Sequence, residues 1–315
     1  MNEQSVRDFY KSYKQKKDQV LTLDHPVAKK AGVKLELVRM DQNHPEISGN
    51  KLWKLKYNLL EAAKIGAKRI ITFGGAYSNH IHAMAAAGRL LDFETVGIIR
   101  GEAPHQLNPT LQDATNWGME LHHISRTEYR NRHEESFQNM LCQQFSADYI
   151  VPEGGSNALA LRGIRDWVDK FENCDTYCVA TGSGGTAAGI LTGMKAQKLL
   201  SFPVLKGGLY LKDVIEKMVI SSGLSSKGKL HTIDSYHFGG FAKFNNDLIN
   251  FINAFQEKYK IPLEPLYTAK LLYGVLEMTQ SGSFQKGEVV RIVHTGGLQG
   301  IRGFNERFGD IIHIS

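Results

Sequence analysis

The chain has 315 residues, 42% hydrophobic and 22% charged, a composition that excludes a disordered or disulfide-stapled protein and suggests about two domains at roughly 150 residues each. The formal net charge of +6 is diffuse, and its densest run, KSYKQKK at 11–17, reads as a solvated helix face rather than a nucleic-acid site. No apolar stretch approaches the roughly 20 residues of a membrane span, and MNEQSVRDFYKSYKQKK lacks the apolar core of a signal peptide, so the cytoplasm is the expected compartment.

The elements alternate along the chain. SGNKLWKLKYNLLEAAKIG (48–66) predicts a helix that carries four lysines, Lys51, Lys54, Lys56 and Lys64. RIITFGG (69–75) predicts a buried strand, SNHIHAMAAAGRLL (78–91) a helix, ETVGIIR (94–100) a strand and NPTLQDATNWG (108–118) a helix ended by Gly118. MELHHIS (119–125) follows as a strand and RHEESFQNMLCQQF (132–145) as a helix. DYIVPEGGS (148–156) and TYCVATGSGGT (176–186) are strands running into glycine-rich turns, with GILTGMKAQKLL (189–200) expected as the next helix. FPVLKGGLYL (202–211), KLHTIDSY (229–236) and EVVRIVHTGG (288–297) read as later strands, and NDLINFINAFQEKY (246–259) and TAKLLYGVLEMTQSG (268–282) as helices. Alternation of this kind implies parallel sheets covered by helices on both faces. The order of elements suggests divisions near 50 and near 150. Cys142, Cys174 and Cys178 show neither CxxC spacing nor clustered histidines, so no disulfide framework and no metal site are expected.

Ligands of such sheets bind where strands end and helices begin, which draws the eye to the turns at 74–80, 154–157, 182–186 and 295–297. ATGSGGTAAGI (180–190) can aim successive backbone N–H groups, a helix N-terminus and the hydroxyls of Ser183 and Thr186 at one phosphate. It lacks both the Gly-Lys-Ser/Thr ending of a nucleotide P-loop and the GxGxxG spacing with a suitable acidic residue downstream that a dinucleotide site shows, so a phosphate monoester fits better; a tight turn with no ligand is the plain alternative. In GGAYSNH (74–80), Ser78 or Asn79 can cap the following helix or face a ligand, and His80 and His82 can be packed or functional. PEGGSNALALRG (152–163) is a third turn of the same character. The lysine of SGNK, in the first turn of its helix, can be shielded from water and lose its proton. A neutral amine beside a phosphate turn points to a Schiff base with pyridoxal 5′-phosphate. Spacing alone does not separate Lys51 from Lys54 for that role.

The stretches SGNKLWKLKY, GGAYSNH, PEGGSNAL, GSGGTAAG, EPLYTAK and HTGG occur in the same order as in the 1-aminocyclopropane-1-carboxylate (ACC) deaminase and D-cysteine desulfhydrase family, and the chain resembles that family from about residue 25 to its C-terminus. The resemblance implies pyridoxal-phosphate fold type II: two open, twisted, mostly parallel sheets flanked by helices, with the cofactor in the cleft between a large domain (1–50 plus 151–315) and an inserted small domain (51–150). It implies Lys51 as the Schiff-base lysine, with Lys54 in support, and Asn79 at the cofactor's phenolic oxygen. Ser78 and Tyr267 would meet the substrate; Gly182, Ser183, Gly184, Gly185 and Thr186 would hold the phosphate; Thr268 would face the pyridine nitrogen. ACC deaminases generally carry Glu at that last position and desulfhydrase-like members Thr, so Thr268 leans toward β-elimination. In HFGGFAKF (237–244), Phe241 stands where the family usually has a tyrosine, which removes a possible acid/base group. The implied activity is elimination from a small amino acid such as D-cysteine, giving pyruvate, ammonia and hydrogen sulfide. Its rivals are ACC deamination and cofactor binding with little turnover. A homodimer, with no nucleic-acid or membrane partner, is expected.

Overall fold

A strand covered by helices on both faces needs an almost unbroken apolar run, and the central strands have one: Thr176–Thr181 is buried throughout, and Glu94–Arg100 is exposed only at its ends. In the computed structural model, which describes residues 2–14, 20–194 and 197–313, ten strands among the described residues form two sheets. The larger has the order β1 (Val20–Thr22), β2 (Lys34–Arg39), β10 (Val289–His294), β7 (Thr176–Thr181), β8 (Lys198–Pro203), β9 (Lys229–Thr232), parallel except for β1. The smaller is wholly parallel, in the order β5 (Glu120–Ile124), β4 (Glu94–Arg100), β3 (Arg69–Gly75), β6 (Tyr149–Val151). Both are α/β sheets of the kind that the alternating pattern calls for.

The helices are α1 (Glu3–Lys14), α2 (Pro26–Ala31), α3 (Asn50–Lys64), α4 (Asn79–Leu91), α5 (Pro109–Asn116), α6 (Glu135–Phe145), α7 (Ala158–Val168), α8 (Gly185–Gly193), α9 (Leu211–Ser221), α10 (Asn246–Tyr259), α11 (Thr268–Gln280) and α12 (Gly300–Phe308). Their apolar faces make one core continuous between the sheets. Ile70 and Ile99 of the smaller sheet join Leu55 and Leu59 of α3, Ile164 of α7 and Ile190 of α8, and these reach Val179 and Val293 of the larger sheet. The opposite face of the larger sheet packs Leu37, Cys178 and Ile292 against α10 and α11. Ile71, Phe73, Val96 and Ile98 close the outer face of the smaller sheet with Leu141 and Phe145 of α6.

Two elements differ from the sequence pattern. The helix expected over 189–200 ends at Gly193, and Lys198–Leu200 open β8 instead; Leu199 and Leu200 are buried between β7 and β9, and tertiary pairing overrides the helical pattern. The strand expected over 202–211 stops at Pro203, after which the chain turns and enters α9. Of the basic run 11–17, residues 15–17 lie outside the described residues. Among the described residues no helix is long and apolar enough to cross a membrane.

Candidate active site at the carboxyl edges of the sheets

The turn ahead of α3 folds against the end of β10. Gly49 has φ +69°, and a Cβ there would lie 1.9 Å from Thr295 O, so only glycine fits. The Asn50 N–H donates to Thr295 O at 3.1 Å. Its side chain works at both ends: Nδ2 donates to Thr186 Oγ1 at 2.8 Å, and Oδ1 accepts from Lys51 Nζ at 2.9 Å.

Partners then separate the four lysines of α3. Lys56 pairs with Asp166 at 2.5 Å and Lys64 with Glu61 at 3.7 Å. Lys51 and Lys54, by contrast, bond neutral oxygens: Lys51 that of Asn50, and Lys54 Ser156 Oγ at 2.8 Å. Burial pulls the Lys51 amine from its ordinary 10.5 down to about 8. Lys54, 1% exposed, is held well below its ordinary value, first by burial and then by the charge of Lys51. Two desolvated amines side by side without a bonded carboxylate make a site for an anionic ligand.

The glycine turn after β7 supplies the rest of that site. Ser156 Oγ lies 2.8 Å from Ser183 Oγ. A Cβ at Gly185 would come within 2.7 Å of Ser156 Oγ and 2.9 Å of Lys54 Nζ, so the bare glycine leaves the space in front of these donors open. Gly184, at φ +86°, precedes α8 and no side chain caps it, which leaves the first N–H groups of the helix free to bond an anion.

The turn after β3 faces the same cleft. Ser78 caps α4, accepting from the N–H groups of His80 at 3.2 Å and Ile81 at 3.3 Å. Asn79 Oδ1 accepts from Gln299 Nε2 at 2.7 Å, and its Nδ2 would meet a Cβ at Gly297 at 2.5 Å. His80 Nε2 lies 2.7 Å from Thr72 Oγ1, whose own hydrogen goes to Val151 O at 2.9 Å. His80 is therefore the Nε2–H donor, and its Nδ1 is a buried acceptor without a partner. Burial, then the charges of Lys51 and Lys54, hold this imidazole neutral. His82 points elsewhere, to Asp113 Oδ2 at 3.1 Å and the Trp117 ring.

The start of α11 completes the arrangement. The buried Glu264 carboxylate accepts the N–H groups of Leu266 at 2.7 Å, Tyr267 at 2.9 Å and Thr268 at 2.5 Å. Burial raises the pKa of this carboxyl while those donors oppose the rise. Thr268 Oγ1 is near enough to Glu264 to help hold its charge but has no hydrogen bond of good geometry. The Tyr267 ring lies against Gly182, its Cε1 3.0 Å from where a Cβ there would sit, and meets Phe241 edge-on at 6.0 Å. Burial lifts the Tyr267 phenol above its ordinary range.

The fold thus links Lys51 to Thr186 through Asn50 and Lys54 to Ser183 through Ser156, with Gly182, Gly184 and Gly185 in the same turn as Ser183 and Thr186, Tyr267 against Gly182, and Thr268 next in the chain. Asn79, at the start of α4 after the other sheet, is tied across by Gln299, whereas the Ser78 hydroxyl caps its own helix. The sequence reading passed over Asn50, Ser156 and Glu264. A serine in each of two glycine-rich turns was the available signal for Ser156; the pairing of Glu264 with backbone N–H groups left none.

An amine whose pKa burial has lowered, a neighbouring anion pocket of hydroxyls and free N–H groups, and a buried hydroxyl without a well-formed hydrogen bond fit an aldehyde cofactor bearing a phosphate. The chain belongs to the pyridoxal-phosphate dependent enzymes, whose family model matches residues 21–296, and pyridoxal phosphate is its cofactor. More closely, it is 30% identical over 298 residues to the bifunctional D-cysteine desulfhydrase/1-aminocyclopropane-1-carboxylate deaminase, mitochondrial, of Arabidopsis thaliana, covering 86% of this chain and 74% of that protein. It is 27% identical to a putative 1-aminocyclopropane-1-carboxylate deaminase of Pyrococcus abyssi, over 91% of each chain. The crystal structure of an ACC deaminase homologue superposes with a TM-score of 0.78 at 23% identity, over 94% of each chain, and shares the fold.

Proposed function

We propose that this enzyme is a lyase that expels the β-substituent of a small amino acid, D-cysteine and one water giving pyruvate, ammonia and hydrogen sulfide. Pyridoxal phosphate, when bound, supplies a covalent link to an amine and an electron sink for the carbanion at the substrate Cα. Lys51 Nζ, its proton affinity lowered by burial, is the group that would hold the cofactor and then carry the Cα proton. Lys54, Ser156, Ser183 and Thr186, with the turn Gly182–Gly185, would hold the phosphate by donated hydrogen bonds. Asn79 would orient the cofactor oxygen, while Ser78 and Tyr267 would orient the substrate carboxylate.

The observation that carries the choice of elimination is Thr268, which is fully buried and uncharged, its hydroxyl beside Glu264 but without a hydrogen bond of good geometry. A hydroxyl at the ring nitrogen places no full charge there, which suits departure of a thiolate better than opening of a carbon ring. Phe241 adds to this by offering no phenol. Conversion of ACC to α-ketobutyrate and ammonia is the second reading, favoured by the name of the Pyrococcus abyssi relative. The finer reading also takes the enzyme as a homodimer with large (1–50, 151–315) and small (51–150) domains, on the strength of the family resemblance, and as cytoplasmic, on its sequence pattern. The test is a visible cofactor band lost in Lys51→Ala, together with product assays on D-cysteine, L-cysteine, D-serine and ACC. Pyruvate from D-cysteine supports the reading; α-ketobutyrate from ACC with no pyruvate from D-cysteine overturns it.

A further inference from the structure

The segment between β9 and α10 is held in a costly shape. Phe238 at φ +53° and Ala242 at φ +56° flank Gly239 at +89° and Gly240 at +120°, so two side-chain-bearing residues occupy the left-handed region within five positions. Such a segment keeps its shape only if the surroundings impose it. The largest polar constraint comes from outside the loop. Lys270, 1% exposed on the first turn of α11, donates to His237 O at 2.9 Å and to Gly240 O at 2.8 Å. Its ammonium thus bridges the two carbonyls that bracket Phe238 and Gly239. Within the loop, Gly240 N–H donates to His237 O and Gly239 N–H to His237 Nδ1, and the Phe238 ring meets Tyr273 of α11 edge-on at 5.1 Å.

What the clamp delivers is Phe241. Its ring follows Gly240 directly, stays 45% exposed, and reaches the Tyr267 ring, which in turn lies on Gly182. Tyr267 and Lys270 are three residues apart at the head of α11, so the residue against the glycine turn and the residue that fixes the loop move as one body. Its hydrogen bonds both go to this loop, while the nearby Glu264 carboxylate supports its charge without bonding it, so the geometry of the amine is spent on the loop.

We propose that Lys270 is a positioning residue whose ammonium locks residues 237–242 so that Phe241 closes the pocket over Tyr267 and selects an apolar, thiol-bearing substrate side chain over a hydroxyl-bearing one. The selectivity part rests on the elimination reading above; the clamp itself does not. A phenyl edge in place of a phenol offers no hydrogen bond to a hydroxyl leaving group, so a hydroxyl loses its water there without recompense, while a thiol, a weak hydrogen bonder, loses little.

The test uses the holoenzyme, with hydrogen–deuterium exchange of the 237–243 peptide read alongside kinetics. In Lys270→Met, exchange in that peptide rises at least tenfold, KM for D-cysteine rises about tenfold, and kcat and the visible cofactor band change less than threefold. Wild-type exchange in a folded Lys270→Met protein overturns the clamp. Phe241→Ala, which leaves Lys270 and its two carbonyls in place, decides the selectivity independently, including where Lys270→Met does not fold. The ratio of kcat/KM for D-cysteine over D-serine falls at least tenfold with loop exchange unchanged, and an unaltered ratio overturns that part. A wild-type holoenzyme with a full cofactor band and no pyruvate from D-cysteine sinks the elimination reading instead, and the exchange experiment still judges the clamp.

Discussion

Replacing Lys54 by Met separates a cofactor-binding amine from a core residue because the two roles predict opposite changes. Lys54 Nζ is 1% exposed as a residue, bonds Ser156 Oγ, and is held below its ordinary pKa by burial and by Lys51. Met has nearly the same length and no polar head, and Ser156 keeps Ser183 as a partner at 2.8 Å, so the substitution strands no donor. The cofactor-free protein is therefore expected to be as stable as wild type or slightly more so. With the cofactor the sign reverses. A charge-assisted hydrogen bond to phosphate contributes about 1.5–3 kcal/mol, which at about 1.4 kcal/mol per decade weakens binding roughly 10- to 150-fold. At a cofactor concentration of about 100 times the wild-type Kd, ligand stabilisation falls from about 2.7 to about 0.6 kcal/mol for a 50-fold loss. That is roughly 4 °C of Tm at about 2 °C per kcal/mol. Thermal unfolding with and without pyridoxal phosphate, plus titration of the visible band, measures both halves. An apo protein that melts several degrees lower, with Kd unchanged, would refute the reasoning.

Thr268→Val keeps the shape and removes a buried hydroxyl with no good hydrogen bond, so apo stability should hold or rise by about 1 kcal/mol while kcat of the holoenzyme drops about tenfold; a denaturation curve and a pyruvate assay check the two. Gly49→Ala adds a Cβ 1.9 Å from Thr295 O at a φ of +69°, and strain plus overpacking should cost about 3 kcal/mol in urea unfolding. The Lys51 amine is lowered in the fold to about 8 from 10.5, so the unfolded chain binds more protons between those values and the stability of the apoprotein should rise with pH from about 8 toward 10. Lys51→Met should flatten that rise by at most about 1.4 kcal/mol per pH unit, and identical slopes would refute it.

The features legible in the sequence are those with local causes. Strand and helix periods gave parallel sheets covered by helices, the family resemblance gave their number, and the glycine turns marked the edge where the candidate site lies, because a turn that brings backbone close to a ligand has to be written in glycine. Lys51 and Lys54 stayed indistinguishable by spacing, since both lie on one face of α3; their partners Asn50 and Ser156 differ only in three dimensions, the second 102 residues away. Glu264 and Lys270 escaped for another reason: each acts on backbone groups, and a carbonyl or N–H leaves no mark in the residue that carries it. The misread segment 189–211 failed because Lys198–Leu200 has helical spacing yet is claimed by neighbours on both sides.

Asn50 has a mechanical consequence. Its backbone is pinned to the end of β10 and its side chain to the first turn of α8, both parts of the larger sheet's rim, while it also accepts from Lys51. The amine is therefore fastened to the anion turn rather than to the smaller sheet that follows it in the chain. Ser78 and Asn79 belong to that other sheet, and their side-chain tie across the gap is Gln299 to Asn79, about 1 kcal/mol of hydrogen bonding. Were the α4 end to shift as substrate entered, the bonds of Asn50 would still keep the amine at a fixed distance from the Thr186 turn.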